Sequence, residues 1–160
     1  MAIDYDIIVK GNNLRLRDGF LGLANVTLVS TSDGPILFDT GHSCNRPAVL
    51  DGLAKHGVEP GALKAVFLSH LHYDHSYNIN LFPNAKVFVS RREWEYAKQP
   101  HKDDMSMPWL IHEMLGRYTV EFLDGERRIA AVPAPGHTPG SYALVLDATP
   151  KGRVVLAGDA

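Results

Sequence analysis

The chain has 160 residues, which suits one domain able to bury a sizeable core. It is 45% apolar and 21% charged with a formal net charge of -2, so neither nucleic acid nor an anionic membrane is indicated, and the basic pairs Arg91-Arg92 and Arg127-Arg128 are too short to form a stripe. Cys44 is the lone cysteine, which excludes an intrachain disulfide; the acidic start Met1-Ala2-Ile3-Asp4-Tyr5-Asp6 and the lack of any long apolar run give the expectation of a soluble, cytoplasmic protein with no signal peptide and no membrane contact.

The first third reads as β-hairpins. Ile7-Ile8-Val9 is β-branched, Leu14-x-Leu16 alternates, and strands at Val26-Thr27-Leu28-Val29 and Ile36-Leu37-Phe38 are joined by the turn Ser32-Asp33-Gly34-Pro35. A helix follows, with Asn45 as N-cap, Pro47 in its first turn, an apolar face of Val49, Leu50, Leu53 and Ala54, and Gly57 as its stop. Ala65-Val66-Phe67-Leu68 and Lys86-Val87-Phe88-Val89 have the continuous apolar character of buried strands, and residues 91–98 read as a helix. The stretch from Gln99 to Gly116 carries Met105, Met107, Trp109, Leu110, Ile111, Met114 and Leu115 and ends as a short amphipathic helix. Core packing is its favoured role, with a pocket wall or lid as the alternative, since Met and aromatic side chains adapt to ligands. Strands resume at Thr119-Val120-Glu121-Phe122, Ile129-Ala130-Ala131-Val132, residues 142–146 and Val154-Val155-Leu156. Hairpins followed by mixed strands and helices argue for sheets with helices packed outside them.

Among the eight His residues, three fall with one Asp inside Ser69-His70-Leu71-His72-Tyr73-Asp74-His75, directly after a buried strand. Alternation in an extended segment sends His70 and His72 to one side, and the turn that follows lets Asp74 and His75 approach from another. Imidazoles and carboxylates are ligands for zinc and several other divalent metals. One ion cannot take all these groups, so the spacing suggests two, about 3.5–4 Å apart as in two-metal hydrolytic sites. Pro135-Gly136-His137-Thr138-Pro139-Gly140-Ser141 places a further His in a loop stiffened by prolines. Leu156-Ala157-Gly158-Asp159 ends an apolar strand in a carboxylate. Each is weak alone; together they supply a third imidazole and a bridging carboxylate.

In this order, His-x-His-x-Asp-His, Gly-His-Thr-Pro-Gly and a strand-terminal Gly-Asp resemble the metallo-β-lactamase superfamily, as does Ile36-Leu37-Phe38-Asp39-Thr40-Gly41. The likeness spans most of the chain. It implies an α/β fold of the α+β type, a four-layer αββα sandwich. One metal would be held by His70, His72 and His137, the second by Asp74 and His75, with Asp159 bridging. Asp39 would orient a ligand imidazole through a hydrogen bond; simple turn formation before Gly41 accounts for Asp39 equally well. The family normally continues beyond the Gly-Asp strand and adds one more His. Residues 1–160 are therefore expected to be a single domain of this kind lacking its C-terminal part, incomplete in its second half, with a homo-oligomer as another way to cover the exposed face. His42, His56, His101 and His112 read as surface or partly packed, His42 being the one that could border the site.

With two ions bound, a water would ionise near ~7 and attack an electrophilic carbon or phosphorus, Asp74 orienting it or taking its proton. Zinc is the first expectation, with iron, manganese or cobalt compatible. Cys44 lacks a His-Asp partner pattern and reads as an inert packed residue. Asp74-His75-Ser76-Tyr77-Asn78 and Glu93-Trp94-Glu95-Tyr96 resemble the quorum-signal lactonase branch, which implies a small ester, lactone or thioester substrate. The alternatives are a metal-dependent phosphodiesterase or nuclease, and a non-catalytic fold serving as a binding or interaction module.

Overall fold

The structure, a computed structural model, describes residues 3–123 and 130–160. Strands β1 (Asp4–Val9), β4 (Val26–Thr31), β5 (Gly34–Phe38), β6 (Ala65–Phe67), β7 (Lys86–Val89) and β8 (Val120–Phe122) form one sheet in the order β1-β4-β5-β6-β7-β8. Its first three strands pair antiparallel and the rest parallel. Strands β9 (Ala130–Pro133), β10 (Tyr142–Thr149) and β11 (Gly152–Leu156) form a second, antiparallel sheet in the order β11-β10-β9. Between β1 and β4 a separate hairpin, β2 (Asn12–Leu16) and β3 (Gly19–Leu23), stands out from the body. The α-helices among the described residues are α1 (Arg46–Lys55), α2 (Tyr73–Ser76), α3 (Arg91–Lys98) and α4 (Pro108–Leu115), with short 3-10 turns at Ser43–Asn45, Pro60–Ala62 and Tyr77–Leu81. Among the described residues no helix is long and apolar enough to cross a membrane.

The period of two along each strand divides the interior. Leu37, Val66, Val87 and Val89 face one core together with Val49 and Leu53 of α1, Ala97 of α3, and Ile111 and Leu115 of α4. Their neighbours Ile36, Phe38, Phe67 and Phe88 face the other, closed by Leu144, Leu146 and Leu156 of the second sheet. Helices, sheet and sheet thus stack as layers of the expected mixed α/β architecture. Phe67 and Phe88 stack between the sheets with ring centroids 4.6 Å apart, a pair worth about 0.5–1.5 kcal/mol beyond its buried area.

Local expectations mostly hold, with three corrections. On α1 the buried face is Val49, Gly52 and Leu53, while Leu50 and Ala54 are exposed. Gly52 sets that tilt, because a Cβ there would come within 2.8 Å of Ile8 Cβ. Cys44 is exposed rather than packed, since the short 3-10 turn Ser43–Asn45 that carries it buries none of its residues. The 99–116 stretch divides between the two roles weighed for it. Ile111 and Leu115 are core, while Met105 and Met107 are exposed and line a cavity. Ile129 and the pair Arg127-Arg128 lie outside the described residues.

Candidate metal centre

Parallel strands β5 and β6 end side by side, and both chains leave the sheet toward the same point. After β5 comes Asp39, with φ of 58°, a left-handed conformation that Asp tolerates better than most residues. Its buried carboxylate faces the end of β6. Oδ1 accepts the Ser69 N–H at 2.7 Å and Oδ2 accepts the Ser69 hydroxyl at 2.8 Å. Oδ2 also lies 2.7 Å from His75 Nδ1. The backbone closes the same grip, since the N–H groups of Thr40 and Gly41 donate to the His75 carbonyl at 2.6 and 3.1 Å. Asp39 therefore both turns the chain and orients an imidazole.

The extended segment after β6 carries His70 and His72 with ring centroids 4.5 Å apart, and the first turn of α2 brings His75 to 4.0 Å from His70. The loop between β9 and β10 delivers His137, whose Nε2 is 2.9 Å from His72 Nδ1 and whose ring is 4.9 Å from that of His70. This loop is pinned beside the first segment by the Tyr142 N–H, which donates to the Ser69 carbonyl at 2.9 Å. Asp159 follows β11. Gly158 before it has φ of 62°, and a Cβ there would lie 2.7 Å from Ser69 Cβ, so only glycine lets the strand end close on the site. Asp159 then lies between the imidazoles, Oδ1 at 3.2 Å from His75 Nε2 and Oδ2 at 3.4 Å from His137 Nε2.

Two groups of donor atoms result, His70, His72 and His137 in one and His70, His75 and Asp159 in the other, with the donor atoms of each within 4.8 Å of one another. Five of the six residues expected as ligands are brought together. The sixth, Asp74, stands at the rim, its Oδ2 3.7 Å from His75 Nε2. His42 borders the same cavity, its ring edge-on to Tyr73 at 4.7 Å. His56 and His101 are exposed, and His112 is half-buried against Trp94 at 4.1 Å.

The imidazoles of the site titrate in opposite directions. Burial, then the nearby imidazoles, holds the pKa of His70 well below its usual value, so its ring is neutral. Burial also lowers His72, against the pull of Asp104. His75 behaves oppositely: burial opposes its charge, yet Asp39, Asp159 and Asp74 together raise it to about 10. Asp159 falls below the ordinary carboxylate range chiefly through its approach to His75, and burial raises Asp74. Nε2 of His70 is buried without a hydrogen-bond partner, and the buried Nε2 of His75 faces the Asp159 and Asp74 carboxylates at 3.2 and 3.7 Å. An orphaned buried imidazole nitrogen is costly, and that of His70 lies among the other ligand-type atoms of both groups.

Comparison with known proteins identifies the family. The sequence signature of the metallo-beta-lactamase superfamily matches residues 19–160. The chain belongs to the metallo-beta-lactamase superfamily. It is 34% identical over 114 residues to the N-acyl homoserine lactonase AttM of Azorhizobium caulinodans, covering 65% of this chain and 43% of that one. A structure from Thermotoga maritima of the same family type superposes with a TM-score of 0.81 at 20% identity, covering 97% of this chain and 77% of the other. An N-acyl homoserine lactone hydrolase, solved with N-hexanoyl-L-homoserine at its catalytic metal center, gives a TM-score of 0.67 at 25% identity, covering 89% of this chain and 66% of that one. The chain spans about half the length of the curated relatives it matches, between 43% and 62%.

Within this metallo-beta-lactamase frame, one supporting residue was invisible in the sequence. Asp104 places Oδ2 3.2 Å from His72 Nε2, the ring nitrogen turned away from the cluster. The same oxygen accepts the Tyr96 hydroxyl at 2.8 Å, and Oδ1 accepts the Ser106 N–H at 3.0 Å. Asp104 lies 32 residues from His72 in a loop with no motif of its own, so no spacing signals the pairing. Ser69 was legible only as the start of a motif, yet its hydroxyl lies 2.9 Å from His70 Nδ1 and 3.3 Å from His75 Nδ1, joining both rings to Asp39.

Proposed function

We propose that this chain carries the cation-binding part of a two-metal hydrolase that opens a small carboxylic ester, a lactone before all others. The observation that carries the reading is the doubled donor set sharing His70, with the His70 Nε2 orphaned inside it. His70, His72 and His137 would hold one cation, and Asp74 and His75 the other. Asp159, with its oxygens turned toward different imidazoles, would span the two. Zinc is the first candidate, in keeping with the all-His and carboxylate donors. When bound, such a pair supplies Lewis acidity, bringing the pKa of a water toward ~7 and polarising a substrate carbonyl.

The protein's own groups do the rest. Asp39 and Asp104 hold the outward nitrogens of His75 and His72, fixing ring orientation. Asp74, half-buried at the cavity wall with its pKa raised by burial, is placed to take a proton on Oδ2 and return it to the leaving alkoxide. The adjoining cavity, about 630 Å³, is within the range of small-molecule sites. Phe20 and Leu21 of the β2–β3 hairpin, with Met105 and Met107, give it an apolar wall, and His72, Asp74, His137 and Asp159 also line it. An acyl chain fits such a wall, and the names of the lactonase relatives support the same substrate class.

The activity of the whole protein is part of this proposal. The test is to load that protein with zinc and offer an N-acyl homoserine lactone and a chromogenic phosphodiester side by side, following ring opening by acid release. Turnover of the lactone alone is expected. Turnover of the phosphodiester alone would replace the reading with a phosphodiesterase, and two bound ions with no turnover of either would leave a binding module.

A further inference from the structure

The first donor group combines segments far apart in the chain, with His72 and His137 separated by 65 residues. Each segment is a loop, and a loop alone cannot hold imidazole nitrogens to a few tenths of an ångström. One side chain touches both. Glu93, in the first turn of α3, is fully buried. Its Oε1 accepts the N–H of Leu71, the residue between His70 and His72, at 3.0 Å. Its Oε2 accepts the hydroxyl of Thr138, the residue after His137, at 2.7 Å and the N–H of Gly140 at 3.2 Å.

The start of α3 completes the joint. The Ser90 hydroxyl accepts the Glu93 N–H at 2.9 Å, capping the helix, and donates to the Gly140 carbonyl at 2.6 Å. Gly140 lies flat on this turn, where an added Cβ would stand 2.1 Å from Glu93 N. Ser90-x-x-Glu93 has the spacing of a capping box, whose Glu ordinarily reaches back to the N-cap backbone. Here the carboxylate is diverted outward to the two loops.

We propose that Glu93 is the positioning residue of the first half-site, setting the separation of His137 from His70 and His72. This rests on the reading that those three imidazoles hold a cation. Burying a carboxylate is costly, and an apolar side chain would fill the space at less expense in desolvation. What a carboxylate adds is direction: two oxygens accept from three donors on two loops.

The experiment measures zinc affinity by competition with a chromogenic chelator, alongside the melting temperature of the metal-free protein. E93Q has nearly the same shape, but either amide orientation turns an NH2 group toward a donor. Its zinc affinity is expected to fall about 10–100-fold. T138V keeps the shape of the side chain and loses the donor, whereas T138S keeps the donor and loses the methyl group. T138V is expected to weaken zinc binding several-fold and T138S to retain it. Unchanged affinity in both E93Q and T138V overturns the proposal, as does T138S weakening zinc as much as T138V, which would make the contact mere packing. Should E93Q fail to fold, the Thr138 pair decides alone. A wild-type protein that binds no zinc sinks the underlying reading, an outcome distinct from wild-type binding that the variants leave untouched.

Discussion

Asp39→Asn isolates the buried carboxylate that joins the two strand ends. Asp39 Oδ2 and His75 Nδ1 are 2.7 Å apart, both side chains only 2% exposed, and Asp39 also accepts the Ser69 N–H and hydroxyl. The amide removes the charge and turns one acceptor into a donor. Removing one member of a buried pair costs about 3–5 kcal/mol, a large share of the roughly 5–15 kcal/mol that stabilises a typical domain. At a urea slope of about 2 kcal/mol/M, the midpoint should fall by about 2 M at neutral pH in the presence of a chelator. The pH dependence has a fixed sign. His75 is raised from 6.5 to about 10 in the folded chain, so the stabilisation is fully present below 6.5 and is lost as pH rises through about 10. The gap between wild type and variant should therefore narrow toward alkaline pH. A midpoint shift below about 0.5 M at neutral pH, or a gap that widens with pH, would refute the argument and reduce Asp39 to a turn residue.

Further outcomes follow from the same geometry. His72→Ala should lose the cation of the first half-site, because two imidazoles leave a weak chelate; elemental analysis after dialysis showing undiminished metal would contradict the ligand assignment. Asp104→Asn should weaken zinc on the order of 10-fold by freeing the His72 ring, read by chelator competition, and an unchanged affinity would make the contact incidental. Gly158→Ala places a Cβ 2.7 Å from Ser69 Cβ at a φ of 62°, so calorimetry should show a loss of about 1–3 kcal/mol and metal analysis a weaker second ion. Zinc binding near neutral pH should release a proton from His75, since a ligand imidazole must be neutral and this one titrates at about 10; an indicator dye showing no release would oppose its role as a ligand.

The sequence by itself determined the ligand-type residues and the strands that carry them. His70, His72, Asp74 and His75 lie within six residues at the end of an apolar strand, which is enough to bring them to the same end of the sheet. Alternation in β5, β6 and β7 likewise wrote both cores into the chain, because a period of two sends neighbours to opposite faces whatever packs there. Local pattern failed where the partner is remote. Leu50 and Ala54 satisfy a helical stripe, but the close approach of Gly52 to Ile8 decides which stripe is buried. The pairing of His72 with Asp104, the clasp of Glu93 across two loops and the closure of Gly158 on Ser69 exist only once β6, α3, β10 and β11 converge. Hydrogen bonds act over about 3 Å and carry no sequence period, so the roles of Asp104 and Glu93 were left for the tertiary structure to decide.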